Sequence, residues 1–253
     1  GILLARTVAG ALSSLGDWHT VYWVAAALML LNTLALWRAL PRYAQTTRMH
    51  YGQLIGSVFA QFARYPLHRQ RSLLGCLIFA MFSVLWTSLA FLLSSEPWSY
   101  SDATIGLFGL AGAMGALSAR HAGVLTDRGH GARLTVLGVV ALLVSWGLLG
   151  LGAYSLIALV AGIVLLDLAL QAVHITNMNM IFNLDEAARN RLNSGYMFLY
   201  FVGGALGSLG SAAAYQQAGW LGVCLLGGGL GVLAVGYGVW ITRFSPRSQT
   251  PPG

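Results

Sequence analysis

YSLIALVAGIVLLDLALQAVHITNM, residues 154–178, is the stretch on which the reading of this chain turns. Read as a helix rising about 1.5 Å per residue, it is long enough to cross a hydrocarbon core of about 30 Å. Asp167 sits near its middle. Gln171 and His174 follow at helical spacing, so the three side chains share one face, with Met178 one turn further on. An ionisable group in lipid costs roughly 2.5–3.5 kcal/mol or more, so such a residue faces a bundle interior or a wet cavity. The rest of the chain is therefore expected to build that interior.

Composition sets the class. Hydrophobic residues make up 57% of the chain and charged ones 8%, against roughly a quarter charged in soluble domains. This is the profile of an all-α polytopic membrane protein whose first partner is the lipid bilayer. The basic residues are all Arg. Without Lys there is neither a Walker A loop nor a Schiff-base lysine. The arginines fall in short loops between apolar runs rather than on one folded basic face, which argues against nucleic acid as a partner. Cys76 and Cys224 lie inside apolar runs and read as reduced packing residues. The chain opens on GILLARTVAG, apolar and without Met, as if continuing something longer.

Taken in order, residues 1–15 hold a short apolar stretch containing Arg6, and 21–37 a full span. The connection 38–71 is the longest and most basic; its centre, YGQLIGSVFAQFAR, sets Leu54, Ile55, Val58, Phe59 and Phe62 on one stripe. It reads as an amphipathic helix lying at the membrane surface, with a partner-binding arm as the alternative. Spans follow at 73–93, 104–120, 134–152, 154–178, 193–215 and 220–242, then a Pro- and Ser-rich tail, 244–253, with a disorder-prone composition. Thirteen of the fourteen arginines fall in 38–71, 120–133, 183–191 and the C-terminal end from Arg243 on, while the alternate turns carry Asp17, Glu96 and Asp102. By the positive-inside rule the basic loops and the C-terminus are cytoplasmic.

Residues 123–133, GVLTDRGHGAR, sit in one of these basic loops. They resemble the G-x-L-x-D-R-x-G-x-x-R loop of the Major Facilitator Superfamily: Gly123, Leu125, Asp127, Arg128, Gly131 and Arg133 match, with one extra residue between Arg128 and Gly131. GILLARTVAG, LLDLALQAVHITN and RNRLNSGYMFLYFVGGALGS are similar to a bacterial drug- and sugar-efflux branch of that superfamily. The resemblance implies that 1–37 is the end of helix 5 and helix 6, that 38–71 links two halves, and that 72–243 is the C-terminal six-helix half. It implies that Asp127, Arg128 and Arg133 act as a conformational gate holding helix ends together. It also implies that an N-terminal half is missing from this chain and is needed to close a substrate site at the interface of the halves, near the bilayer midplane.

The expected function is secondary active transport, a proton-coupled efflux of small organic molecules powered by the proton gradient and needing no cofactor. The alternative is a non-transporting membrane fragment or an interaction subunit. Asp167 is the expected proton acceptor, since desolvation favours its neutral form until water reaches it. His174 either relays that proton or caps the helix near the headgroups. Gln171 hydrogen-bonds within the bundle. Arg6 is either a counter-charge for Asp167 or a substrate anion, or a residue snorkelling to the outer headgroups. Asn193, Tyr196, Tyr200, Gly204, Gly207 and Ser211 share a stripe of the next span. It lines a cavity or packs on a neighbour, and its hydroxyls favour the cavity. Ser83, Trp86 and Thr87 on 73–93 are further cavity candidates. An intramembrane hydrolase is disfavoured, because the spans hold a single acid and no Gly-x-Ser-x-Gly elbow occurs.

Overall fold

Pro66 opens the helix on which the bundle is assembled. Its missing N–H costs nothing at a first helical position, and the residue before it, Tyr65, is extended (φ −119°, ψ 98°). The computed structural model describes residues 8–10, 12, 18–40, 51–113 and 116–244. Arg6, Asp17 and the tail beyond residue 244 lie outside the described residues.

Two helices precede the bundle, α1 (Trp18–Ala39) and α2 (Tyr51–Arg64). Then come α3 (Pro66–Ser94), α4 (Asp102–Ala113), α5 (Ala116–Leu125), α6 (Gly131–Leu151) and α7 (Leu156–Phe182). The helical run Arg189–Phe244 is broken by Ala218 (φ −141°) and Gly219 (φ 58°), giving α8 (189–217) and α9 (220–244). Gly219 takes a left-handed conformation that any side chain would strain, which is how the chain reverses between two spans without a longer loop. No strand occurs among the described residues. Helices α1, α3, α6, α7 and the α8–α9 run are long and apolar enough to cross a bilayer.

The antiparallel alternation puts Tyr65, the 126–130 turn and the 183–188 loop at one end, here the basic end, and 95–101, 152–155 and 218–219 at the other. Ser155 caps α7 by accepting the Ala158 N–H at 3.3 Å. At the same end the Leu149 carbonyl accepts both the Gly152 N–H (3.0 Å) and the Trp220 indole N–H (2.9 Å), joining α6 to α9.

The core lies between α3, α6, α7, α8 and α9. Leu74, Ile78, Met81 and Leu85 of α3, Val139 and Leu142 of α6, and Ile163, Leu166 and Val173 of α7 are fully buried. Large apolar side chains on the outward faces, among them Leu137, Leu209, Leu225 and Leu233, stay exposed, as lipid-facing positions require. Helices α3 and α8 approach backbone to backbone: a Cβ on Gly203 or Gly207 would run into the main chain of Cys76 or Ala80. Small residues permit this where helices associate through packing rather than through a hydrophobic force.

Helix α2 exists where its amphipathic pattern places it, and rests on the bundle through Phe59 against Phe198 (centroids 5.4 Å) and Phe62 stacked on His68 (4.5 Å). Leu54 and Ile55 of its apolar stripe remain exposed. Helix α1 is exposed along its length, with Trp23 at 76%.

Two boundaries differ from the sequence reading. The span expected from residue 73 begins at Pro66, so Arg69 and Arg71 are helical rather than in a loop, and Arg71 is buried. Arg6 is therefore not the sole Arg inside a span. The basic loop expected over 120–133 narrows to 126–130, because α5 runs to Leu125 and α6 starts at Gly131.

Candidate functional site

Asp167 projects from the inward face of α7 and is 1% exposed. Tyr200 of α8 lies within its electrostatic reach. Two turns along α7, His174 shares a 3.0 Å hydrogen bond through Nδ1 with the Tyr196 hydroxyl and packs on the Tyr200 ring (centroids 4.9 Å). Tyr196 is fully buried because Gly75 of α3 leaves room for its ring. The structure therefore brings together Asp167, His174, Tyr196 and Tyr200 from two helices.

The polar track continues to the basic end. Asn177 lies beside Tyr196 and accepts a hydrogen bond at Oδ1 from Arg71 Nη1 (3.3 Å). The same Nη1 donates to Thr135 Oγ1 at 2.7 Å, and the Thr135 hydroxyl donates to the Gly131 carbonyl at 2.8 Å. Ten residues of α7 separate Asp167 from Asn177, about 15 Å of helix, so the track covers roughly half a bilayer core. Carboxyl, imidazole and phenol groups in such a sequence can pass a proton by changing donor and acceptor roles.

Arg71 is the buried charged residue beside this track that sequence reasoning missed. It is 2% exposed, and among the described residues no carboxylate pairs with it. Removing a guanidinium from water costs several kcal/mol, offset here by neutral oxygens alone. Pro66 was the available signal: a proline at a first helical position moves the helix start seven residues upstream of the hydropathy boundary.

The other expected residues divide. Gln171 is half-buried on the Asp167 face. Asn193 is half-buried near the start of α8 and joins no hydrogen bond to the track. Gly204 fits against the Phe79 ring, Gly207 against Ala80, and the Ser211 hydroxyl bonds both Ser88 Oγ and the Val84 carbonyl at 2.6 Å. That end of the stripe packs α8 on α3. Thr87 donates to Ser208 at 3.0 Å in the same seam, and Ser83 is half-buried beside Gly204. Phe79 stacks on Tyr200 at 4.0 Å and on Phe82 at 5.4 Å, which gives the track an aromatic wall ending at buried Trp86. Trp86 also borders a cavity of about 350 Å³ between Ala9 and Gly10, Val21 and Tyr22 of α1, and Asp102 and Gly106 of α4.

The loop motif docks on α7. Asn179 Nδ2 donates to Asp127 Oδ1 (3.4 Å) and to the Gly123 carbonyl (3.5 Å), while the Thr126 and Thr176 hydroxyls share a bond of 3.2 Å. Gly131 sits against Thr126 and Met180, with no room to spare for a side chain. The left-handed residue of the turn is Gly129 (φ 82°), one of the two residues between the matched Arg128 and Gly131 where the family pattern has one. Arg128 and Arg133 are exposed. No group of three His, Cys, Asp or Glu side chains that would hold a metal ion occurs among the described residues.

A family model for the Major Facilitator Superfamily matches residues 1–184. The chain belongs to the Major Facilitator Superfamily. Among relatives of the superfamily member described here, an uncharacterized transporter, YgaY, of Escherichia coli O157:H7 is 55% identical over 90% of this chain and 58% of its own length. A protein named as a probable transporter in Streptomyces coelicolor is 32% identical over 90% of this chain and 53% of its own. The chain thus spans a little over half the length of these curated relatives. No solved structure matches it.

Proposed function

We propose that this chain is the C-terminal half, with the end of the preceding half, of a secondary transporter that exports small organic molecules in exchange for protons. The observation that carries the reading is a carboxyl buried to 1% exposure at mid-span, with a hydrogen-bonded His–Tyr pair two turns away on the same face. A buried acid of this kind is expensive and marks an ion or substrate path more often than a packing solution. In this reading Asp167 takes up the proton, His174, Tyr196 and Tyr200 carry it toward the basic end, and Asp127, Arg128 and Arg133 form a gate there. The basic end is cytoplasmic, by the distribution of arginines.

An N-terminal half, packed on α1 and on the wall of the cavity between α1, α3 and α4, would complete the substrate site. The exposed length of α1 supports this, as does the greater length of the relatives. The proton gradient is the energy source and no cofactor is required.

The test is transport by the full-length protein in inverted membrane vesicles under an imposed pH gradient, with ethidium and an alkyl thioglycoside as probes. Uptake of either that collapses with a protonophore supports proton-coupled export. Uptake of neither, by a correctly inserted protein, favours a non-transporting membrane component.

A further inference from the structure

We propose that Arg71 is a positioning residue that links the proton state of the Asp167–His174 track to the loop 126–131. The inference rests on the proton-coupled reading above and adds to it the element that transmits the signal.

The geometry is a chain of shared acceptors. Tyr196 has one hydroxyl proton, a hydrogen bond to His174 Nδ1 (3.0 Å), and the Asn177 side chain within hydrogen-bonding reach of its oxygen. A neutral imidazole can accept that proton; an imidazolium is a donor at both nitrogens. When His174 is protonated the Tyr196 oxygen must accept, and its own O–H is released to seek another partner. Asn177 is beside it, buried, and its Oδ1 is held by Arg71 at a long 3.3 Å. A phenol donating to that oxygen competes with the guanidinium. Arg71 Nη1 then rests wholly on Thr135 Oγ1, already the shorter contact at 2.7 Å. Thr135 in turn donates to the carbonyl of Gly131, the residue that closes the turn and opens α6.

Two features make Arg71 the element that carries this. First, its charge cannot leave: it is 2% exposed, and among the described residues it has no carboxylate to retreat to, so losing one oxygen must be answered at the other. Second, one guanidinium nitrogen, Nη1, reaches two helices at once, α6 through Thr135 and α7 through Asn177, with its two N–H bonds fixed in the guanidinium plane, whereas the N–H bonds of an ammonium turn freely on a flexible stem. The titratable and charged groups facing the track are Asp167 and His174 on α7, Tyr196 and Tyr200 on α8, Arg71 and His68 on α3, and Tyr237 on α9. From α6 the contact is Thr135, which does not titrate.

The experiment reads the loop directly. In the full-length protein with Cys76→Ser and Cys224→Ala, the exposed neighbour of Gly131 is replaced, Ala132→Cys. Its maleimide reaction is timed below and above the usual histidine range, about 6.5, with each rate divided by that of the denatured protein at the same pH. The expected wild-type ratio changes roughly fivefold or more across that range, the size of an ordinary coupling between sites. Arg71→Met and Arg71→Lys flatten the change, and so does Thr135→Val, which keeps the buried cation and the shape and cuts the link to Gly131. A response preserved in Thr135→Val and in whichever Arg71 variants fold overturns the proposal, as does a flat wild type. The proton reading fails separately: Asp167→Asn would then leave pH-driven transport intact, whatever the loop does.

Discussion

Arg71 and Gly207 show how a single position in this bundle acquires its meaning from a neighbour that sequence does not reveal. The shared face of Asp167, Gln171 and His174 was legible from helical spacing alone. Arg71 was not legible, because an arginine near the end of a span satisfies hydropathy equally well by snorkelling outward or by turning inward. Which it does depends on Thr135 and Asn177, contributed by segments more than sixty residues away. Gly207 lies on the stripe whose hydroxyls favoured a cavity, yet it marks a place where α8 meets the Ala80 backbone, whereas Gly236 has open space around it. Gly207→Ala is therefore expected to destabilise the bundle by about 1–3 kcal/mol. Gly236→Ala should be neutral or stabilising by up to about 1 kcal/mol, through helix propensity. Thermal unfolding of the detergent-solubilised protein compares the two, and equal losses would contradict the packing described for α3 and α8.

At the scale of elements, helix ends are tied by contacts lying outside the spans. Tyr65, which precedes α3, donates from its hydroxyl to Asp185 Oδ2 at 2.8 Å, while Asp185 Oδ1 accepts the Ala187 and Ala188 N–H groups ahead of α8. The Tyr65 hydrogen bond, helped by those backbone donors, holds the Asp185 carboxyl below the usual carboxylate range. A carboxyl whose folded pKa is lowered stabilises the fold above its unfolded value, about 3.9, and that contribution is lost as pH falls through the folded value. Tyr65→Phe should consequently speed amide hydrogen exchange at Ala187 and Ala188, relative to the intrinsic rate at each pH, at neutral pH and make no difference below the folded titration. An acceleration that persists unchanged in acid would show that the phenol acts by packing alone. The amphipathic helix α2 was legible from its stripe, and its seat on Phe198 and His68 was not, since that depends on where α8 begins.

For the whole molecule, the alternation of basic and acidic turns carries the proposed orientation, and the loop motif with its long basic connection carried the family. The sequence could not show which helices touch, because every span is apolar on all sides and interfaces are chosen by small residues and by buried polar groups. Impermeant maleimide applied to intact cells tests the orientation. Ser99→Cys, at the acidic end, should react, and Ala63→Cys on α2 should react only after the membrane is opened. The reverse pattern would place the Asp127 turn outside and reverse the direction assigned to the proton track.

The central claim is that the proton binds at Asp167. Asp167→Asn preserves size and hydrogen-bonding capacity and fixes the neutral state, so it separates coupling from binding. In vesicles of the full-length protein it should abolish accumulation driven by a pH gradient while exchange of probe for probe, which needs no net proton movement, continues. The result that would contradict the account is a variant that still accumulates its substrate uphill with the pH dependence of the wild type.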